Sequence, residues 1–352
     1  MIIKLKKEAI ELLENLIITP SFSGEEEHTA LLIEAWFKQN TIPFQREFNN
    51  IWAKNKYFDK SKPTILLNSH HDTVKPNKAY TRDPLKAEII DGKLYGLGSN
   101  DAGGSLVSLL ATFSYFYNHK DLKYNLVILA SAEEENSGPK GIRNVLPFLP
   151  EIDFAIVGEP TLMNLAIAEK GLLVLDCYVH GESGHAAHGT GDNALYKAME
   201  AIRWFKDFRF EKVSKTLGDI KMTVTQIDAG KQHNVVPAMC HFVVDVRTTD
   251  QYSNKEVLEI IKKNVSEEVK ERSLRHNSSS ISLNHPIVQS GQKQGRKIYG
   301  SPTMSDQTAL TCPSLKLGPG ESLRSHTADE FIYVNEVEEG IKIYIDMLIE
   351  LM

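Results

Sequence analysis

Short apolar runs that alternate with helical patterns are the feature that most limits how this chain can fold. Residues 64–67, 125–130 and 154–157 are almost entirely apolar, and each is bounded by polar or turn-forming residues. Such runs are typical of strands buried on both faces, and the helical periodicity of residues 103–117 lies between the first two. Further helices are predicted over residues 5–17 and 26–40. This alternation predicts an α/β fold with a mostly parallel sheet covered on both faces.

The pattern changes at residue 171. Strands and helices then follow in the order β-α-β-β-α-β, with predicted bounds of 172–179, 193–205, 221–227, 241–247, 255–271 and 279–283. Ser253 and Glu256 have the spacing of a capping box at the start of the second of these helices. The order is that of the ferredoxin-like split βαβ unit. We therefore predict a catalytic α/β domain formed by residues 1–170 and 284–352, interrupted by a ferredoxin-like α+β domain over residues 171–283.

Composition and charge exclude several classes of partner. The 352 residues carry a formal net charge of −6, which argues against nucleic acid binding. No apolar run approaches the roughly 18 residues of a membrane span. The N-terminal lysines run directly into Glu8 and Glu11 without the apolar core of a signal peptide. Cys177, Cys240 and Cys312 are odd in number and widely spaced, which favours reduced thiols and a cytoplasmic location.

Acidic and histidine residues form five clusters that follow predicted strands, precede a helix or lie near the C-terminus. They occupy residues 69–72, 98–104, 133–135, 158–160 and 325–330. Each cluster alone has an ordinary structural explanation, as a turn or a solvated loop. Their shared placement at strand ends favours a site, since parallel strands bring their carboxyl ends to one edge of a sheet. Nitrogen and oxygen donors without a nearby cysteine suit zinc, cobalt or manganese.

Taken in order, the clusters resemble the zinc amidohydrolase and exopeptidase family that includes acetylornithine deacetylase, succinyl-diaminopimelate desuccinylase and carboxypeptidase G. The resemblance extends from the S-F-S-G-E sequence of residues 21–25 to Asp329 and Glu330. It implies a catalytic domain interrupted by a lid and dimerisation domain, and therefore a homodimer. It also implies two divalent metal ions, with zinc as the first expectation and cobalt or manganese as alternatives.

The same resemblance implies the metal ligands. His70 and Glu159 correspond to ligands of one ion, Glu135 and His326 correspond to ligands of the other, and Asp101 corresponds to the carboxylate that bridges both. The site so implied has two metal ions that share one carboxylate and one water.

Two neighbouring residues complete the implied catalytic set. Glu134 corresponds to the general base, and Asp72 corresponds to the carboxylate that orients His70. The sequence leaves two registers open, because His71 adjoins His70 and because the acidic triplet of residues 133–135 could shift by one residue. His70 is preferred for its H-x-D spacing, and Glu134 for the acidic-Glu-Glu order of the family.

The inserted domain contributes the implied substrate-binding residues. His185, in a G-H-A-A sequence, corresponds to a histidine that reaches across the dimer to the oxyanion, and His188 is its neighbouring competitor. Asn234 and Arg247 correspond to residues that hold the α-carboxylate of the substrate, and arginine pairs with a carboxylate through its planar fork. Outside that domain, Gly320 in a G-P-G sequence would let backbone amides approach a ligand.

The implied reaction is hydrolysis of the amide bond of an N-acyl amino acid, a small-molecule partner. The G-P-G sequence favours N-acetylornithine deacetylation, or an acyl-citrulline or succinyl-ornithine equivalent, in arginine biosynthesis. Alternatives are succinyl-diaminopimelate desuccinylation, dipeptidase action and a non-catalytic metal-binding relative, which the complete ligand set argues against. Residues 301–306 read S-P-T-M-S-D and lack both glycines of the family's S-G-G-T-S-D, which predicts an altered acyl-side pocket.

Overall fold

The computed structural model describes residues 2–352. The helices, numbered in chain order, are α1 (Ile2–Ile17), α2 (Glu27–Gln39), α3 (Gly104–Phe116), α4 (Ile142–Val145), α5 (Ala194–Asp207), α6 (Asn254–Asn264), α7 (Pro286–Lys293) and α8 (Val334–Ile349). The strands are β1 (Gln45–Glu47), β2 (Asn50–Lys54), β3 (Thr64–His70), β4 (Glu88–Ile90), β5 (Lys93–Tyr95), β6 (Asn125–Ser131), β7 (Phe154–Val157), β8 (Leu165–Glu169), β9 (Gly171–His180), β10 (Lys221–Ala229), β11 (Met239–Thr248), β12 (Glu268–Glu271), β13 (Ser279–Ser280), β14 (Ile298–Ser301), β15 (Ser314–Lys316) and β16 (Phe331–Tyr333).

The chain divides into two compact units. The first comprises the chain up to Ile167 together with Ser280–Tyr299 and Ser305–Met352. The second comprises Ala168–Ser279 and Gly300–Met304. All five candidate metal ligands belong to the first unit, whereas the candidate substrate residues His185, Asn234 and Arg247 belong to the second.

The main sheet of the first unit has the strand order β1-β2-β6-β3-β7-β15-β8-β13, and β14 also pairs with β8. Its centre is parallel, since β3 pairs in parallel with β6 and β7, and β7 with β15. Strand β3 is buried at every position, as expected for a strand covered on both faces. The predicted α/β fold with a mostly parallel sheet is confirmed. A separate antiparallel sheet has the order β16-β5-β4.

Alternate side chains of the central strands supply two apolar cores. One face, including Ile65 and Leu67, packs with residues of α1, α3 and α8 in the larger core. The other face, including Leu66, packs against Ile142 and Val145 of α4. Each fully buried large apolar side chain contributes about 1.5–3 kcal/mol by leaving water. The sheet is therefore a rigid base for the side chains at its carboxyl edge.

The second unit is a four-stranded antiparallel sheet of order β10-β11-β9-β12, with residues of α5 and α6 in its core. Burial alternates along β9, so that Leu173, Leu175 and Cys177 face the core and their neighbours do not. This period of two is that of a sheet with helices on one face only. The strand order is that of a split βαβ unit.

Two element predictions in this region were wrong. The helix predicted over residues 255–271 ends at Asn264, and Glu268–Glu271 forms strand β12 along β9. Val265 and Val269 are four residues apart, which fits the inward face of a helix. In the structure Val269 is instead the one buried side chain of β12. The strand predicted over residues 279–283 shrinks to β13, which joins the main sheet, so that β12 closes the second unit instead.

The three cysteines agree with the sequence-based expectation of unpaired thiols. Cys177 and Cys240 are buried, Cys312 is half-buried, and all three are unpaired. Across residues 2–352, every helix is too short or too polar to cross a membrane.

Candidate metal centre and active site

The sheet topology brings the predicted ligands to one edge. His70 is the last residue of β3 and lies opposite Ser131, the last residue of β6, so that the acidic triplet follows directly beside it. Glu159 comes two residues after β7 ends, and Asp101 lies in the turn that leads into α3. The carboxyl ends of parallel strands therefore converge here, as the sequence predicted.

Five side chains form two groups of donors that share Asp101. In the first group, Nε2 of His70 lies 3.4 Å from Oδ1 of Asp101 and 3.9 Å from Oε1 of Glu159. In the second group, Nε2 of His326 lies 3.5 Å from Oδ2 of Asp101 and 3.0 Å from Oε2 of Glu135. Asp101 thus presents a different oxygen to each histidine.

The donors fit two divalent ions of the size of zinc. Donors that lie about 2.0–2.2 Å from a tetrahedral zinc are roughly 3.3 Å from one another. The donor separations of 3.0–3.9 Å in the two groups bracket that value. The Asp101 side chain is only 12% exposed, whereas that of His326 is 55% exposed. The centre therefore opens to solvent on the His326 side.

Acidic side chains outnumber basic ones in this centre. Burial and the nearby Asp101 carboxylate raise the pKa of Glu159 to about 8. Burial raises the pKa of Glu134 well above its ordinary value, and neighbouring carboxylates add to the effect. The hydrogen bond with Glu135 raises the pKa of His326 to about 9. Several carboxylates packed this closely favour bound cations, which fits the donor set.

Asp72 contacts His70 and also the backbone of the loop that carries Glu134 and Glu135. Nδ1 of His70 lies 2.9 Å from the main-chain carbonyl of Asp72 and 3.5 Å from its carboxylate. The carboxylate also accepts hydrogen bonds from the backbone N–H groups of Glu134 and Glu135, at 3.0 and 3.1 Å, and from the Ser23 hydroxyl at 2.6 Å. Asp72 therefore fixes the loop that carries the candidate base.

Both open registers have a structural answer. The ring nitrogens of His71 lie 2.9 Å from the Thr29 hydroxyl and 2.8 Å from the Asn49 carbonyl, so His71 is absent from both donor groups. Glu133 has a φ of 54°, and its carboxylate accepts the backbone N–H of Lys140 at 2.9 Å. His70 and Glu135 thus belong to the donor groups, and Glu134 interacts with the charges of His70 and Glu159.

Two buried acidic residues beside the centre were missed by the sequence-based interpretation. The Glu330 carboxylate accepts backbone N–H groups from the turn that carries Asp101. The Asp306 carboxylate accepts hydrogen bonds from the Asn68 amide at 2.8 Å and the Ser131 hydroxyl at 2.6 Å, and burial raises its pKa. Both lie in quoted motifs, but their spacing does not reveal which backbone groups they contact.

Within the second unit, His185 and Asn234 lie together and Arg247 lies apart. The Asn234 carbonyl accepts the N–H of Ala186, and His185 forms a bridge with Val235. These residues extend the ladder beyond the point where His180 pairs with Met239. Arg247 comes eight residues after Met239 on β11, and a strand of that length spans roughly 26 Å. One copy of this unit therefore does not hold a single carboxylate with both Asn234 and Arg247.

Cationic side chains cluster at the Arg247 end of the second unit. Arg247 forms a two-pronged ion pair with Asp245, at 2.8 and 3.1 Å, and is in register with Lys221 on β10. Burial, together with the charges of Lys221 and Arg247, lowers the pKa of Lys170. Asp219 also interacts with Lys170, so three cations and two aspartates lie at this end, which leaves it positive and suits an anionic ligand.

The conformation and surroundings of Gly320 require a residue without a side chain. Its φ is +87°, and a Cβ at this position would lie 2.5 Å from Oδ1 of Asn100. That amide accepts the N–H of Glu321 and donates to the Glu321 carbonyl. The close backbone approach predicted for Gly320 is thus to Asn100, the residue before Asp101, and a substrate contact of Gly320 stays a prediction.

Comparisons with known proteins find relatives along almost the whole chain. The sequence profile described as peptidase family M20/M25/M40 matches residues 66–350. A succinyl-diaminopimelate desuccinylase of Rickettsia bellii (strain RML369-C) is 27% identical over 376 residues, which cover 96% of this chain and 95% of that protein. An acetylornithine deacetylase of Buchnera aphidicola is 27% identical over 369 residues, covering 95% of each.

A solved structure has the same fold. It is described as a dinuclear metal-binding peptidase of Bacillus subtilis from the M20 family, and it matches with a TM-score of 0.74 at 14% identity, covering 98% of both chains.

Proposed function

Since the chain belongs to peptidase family M20/M25/M40 and is a metal-dependent hydrolase, we propose that it cleaves the amide bond of an N-acyl amino acid at a centre of two zinc ions. The observation that carries this proposal is the pair of donor groups that share Asp101, together with Glu134, which interacts with His70 and Glu159 of the first group. A single polarising ion would need only one such group.

The residues of the chain have distinct tasks in the proposed reaction. Divalent ions held by the two donor groups would supply Lewis acidity for the scissile carbonyl and would lower the pKa of a water molecule. Glu134, in neither donor group, accepts a proton from that water and later passes it to the leaving amine.

A second copy of the chain completes the proposed site. Arg247 binds one carboxylate of the substrate, whereas His185 and Asn234 serve the oxyanion side of a neighbouring subunit. Met239 and Arg247 are roughly 26 Å apart along β11, and His185 and Asn234 lie beyond Met239, so a single carboxylate does not reach both groups within one copy, which supports this division. A homodimer that shares its active sites is therefore part of the proposal.

N-succinyl-diaminopimelate is the first candidate substrate, which replaces the earlier preference for N-acetylornithine. Two observations support it: the relatives named succinyl-diaminopimelate desuccinylase and the cluster of Lys170, Lys221 and Arg247. The succinyl substrate carries three carboxylates and acetylornithine carries one, so this positive end favours the former. The Buchnera relative and the G-P-G sequence of residues 318–320 keep N-acetylornithine as the second candidate.

Amine release from a matched panel tests the proposal. The zinc-loaded protein should hydrolyse succinyl-diaminopimelate with a higher kcat/KM than acetylornithine, succinyl-ornithine, acetylcitrulline or a dipeptide. Preference for an acetylated amino acid would overturn the substrate and keep the chemistry. No turnover of any member by protein with two bound ions would overturn the proposed substrate class.

A further inference from the structure

Glu330 makes an unusual set of contacts for a buried carboxylate. Its side chain lies at the end of the loop that follows His326, and the residue is only 2% exposed. One oxygen accepts the N–H groups of Asn100 and Asp101, both at 2.9 Å, and the other accepts the N–H of Gly98 at 3.2 Å. Its main-chain carbonyl accepts the N–H of Gly96 at 3.0 Å.

These contacts act on the residue that both donor groups share. Asp101 must present Oδ1 to His70 and Oδ2 to His326 at almost equal distances of 3.4 and 3.5 Å. Its backbone lies in an extended conformation, with φ −118° and ψ 98°, within an otherwise tight turn. No regular helix or strand bond therefore holds its N–H, and the Glu330 carboxylate takes that role.

We propose that Glu330 is a positioning residue that sets the orientation of Asp101, and through it the affinity for both metal ions. Three N–H donors converge on it, and only a side chain that accepts at both oxygens satisfies them all. Glutamine would turn an NH₂ group toward at least one of those N–H groups. Residues that hold a metal ligand in place typically change metal affinity by about 10–100-fold when replaced.

Metal affinity and cobalt spectra of Glu330→Gln test this role. Competition with a chelator should show both ions bound about 10–100-fold more weakly than in the wild type, because Asp101 belongs to both groups. The visible spectrum of the cobalt-loaded variant should also change, since it reports the coordination geometry. The matched control is Glu256→Gln, which removes a carboxylate that accepts the N–H of Ser253 at 2.7 Å in the second unit. It should leave both readouts unchanged.

Three results would overturn the proposal. The first is an unchanged affinity and spectrum; the second is weaker binding of one ion only; the third is a lower melting temperature of the metal-free protein without a change in affinity. If Glu330→Gln does not fold, the same criteria apply to Glu330→Asp, which keeps the charge but is too short to reach all three N–H groups. The inference rests on the proposed metal centre, and that centre fails separately if the wild type does not bind two ions.

Discussion

Replacement of Asp72 by asparagine tests how the loop of Glu134 and Glu135 is held. Oδ1 of Asp72 accepts the N–H of Glu134, and Oδ2 accepts both the N–H of Glu135 and the hydroxyl of Ser23. Asparagine has one acceptor oxygen and one donor group, so either rotamer leaves one of the two N–H groups facing an NH₂. An unpaired buried N–H costs about 1–3 kcal/mol. If that cost appears as misplacement of the loop, it corresponds to a loss of about 5–150-fold in kcat/KM.

We therefore expect Asp72→Asn to lower kcat/KM by about 10–100-fold and to weaken the ion held by Glu135. Steady-state kinetics and chelator competition measure the two effects. Ser23→Ala is the matched control, because it removes a contact to the same carboxylate and leaves both N–H groups paired. It should have a much smaller effect. An Asp72→Asn enzyme within twofold of the wild type, or one indistinguishable from Ser23→Ala, would refute this reasoning.

Three further predictions concern the base, the shared site and acid stability. Glu134→Ala should lower kcat by about 10²–10⁴-fold with both ions still bound, and normal turnover would remove Glu134 as the base. Mixed His185→Ala and Glu134→Ala subunits should regain activity after proven subunit exchange, and no rescue would count against a site shared between copies. Asp176, which is 18% exposed, has a pKa lowered to about 2 by Arg272 and His241, from an ordinary value of 3.8. Because the pKa of Asp176 is lower in the folded protein than in the unfolded chain, its ionised form stabilises the fold at pH values above the unfolded-state pKa. Asp176→Asn should therefore lower the free energy of unfolding by about 2 kcal/mol at pH 7. In urea titrations this difference should shrink as the pH falls from about 4 through 2, and a constant difference would contradict the assignment.

The sequence was most informative where chemistry and topology coincide. Predicted parallel strands ended in histidine or acidic residues, and the sheet does bring His70, Glu135 and Glu159 to one edge. Residue type alone left the register of His71 and Glu133 open. Only the contacts of His71 with Thr29 and Asn49 exclude it from the centre.

Features that depend on distant backbone groups were not predictable. Glu330 contacts N–H groups some 230 residues earlier in the chain, and no local pattern reveals such a pairing. The end of α6 was missed because Val265 and Val269 satisfy a helical spacing, while the actual arrangement depends on the pairing of β12 with β9. The contact of Gly320 with Asn100, which leaves no room for a side chain, was likewise not predictable, and a ligand contact of Gly320 stays a prediction.

Metal stoichiometry of three ligand variants tests the central claim most directly. Isothermal titration of metal-free protein with zinc should give two ions per chain. Glu159→Gln should lower the affinity for one ion and Glu135→Gln the affinity for the other. Asp101→Asn should lower both affinities, because Asp101 belongs to both donor groups. One ion per chain in the wild type, or an Asp101→Asn protein that retains either ion at full affinity, would contradict the shared two-metal centre.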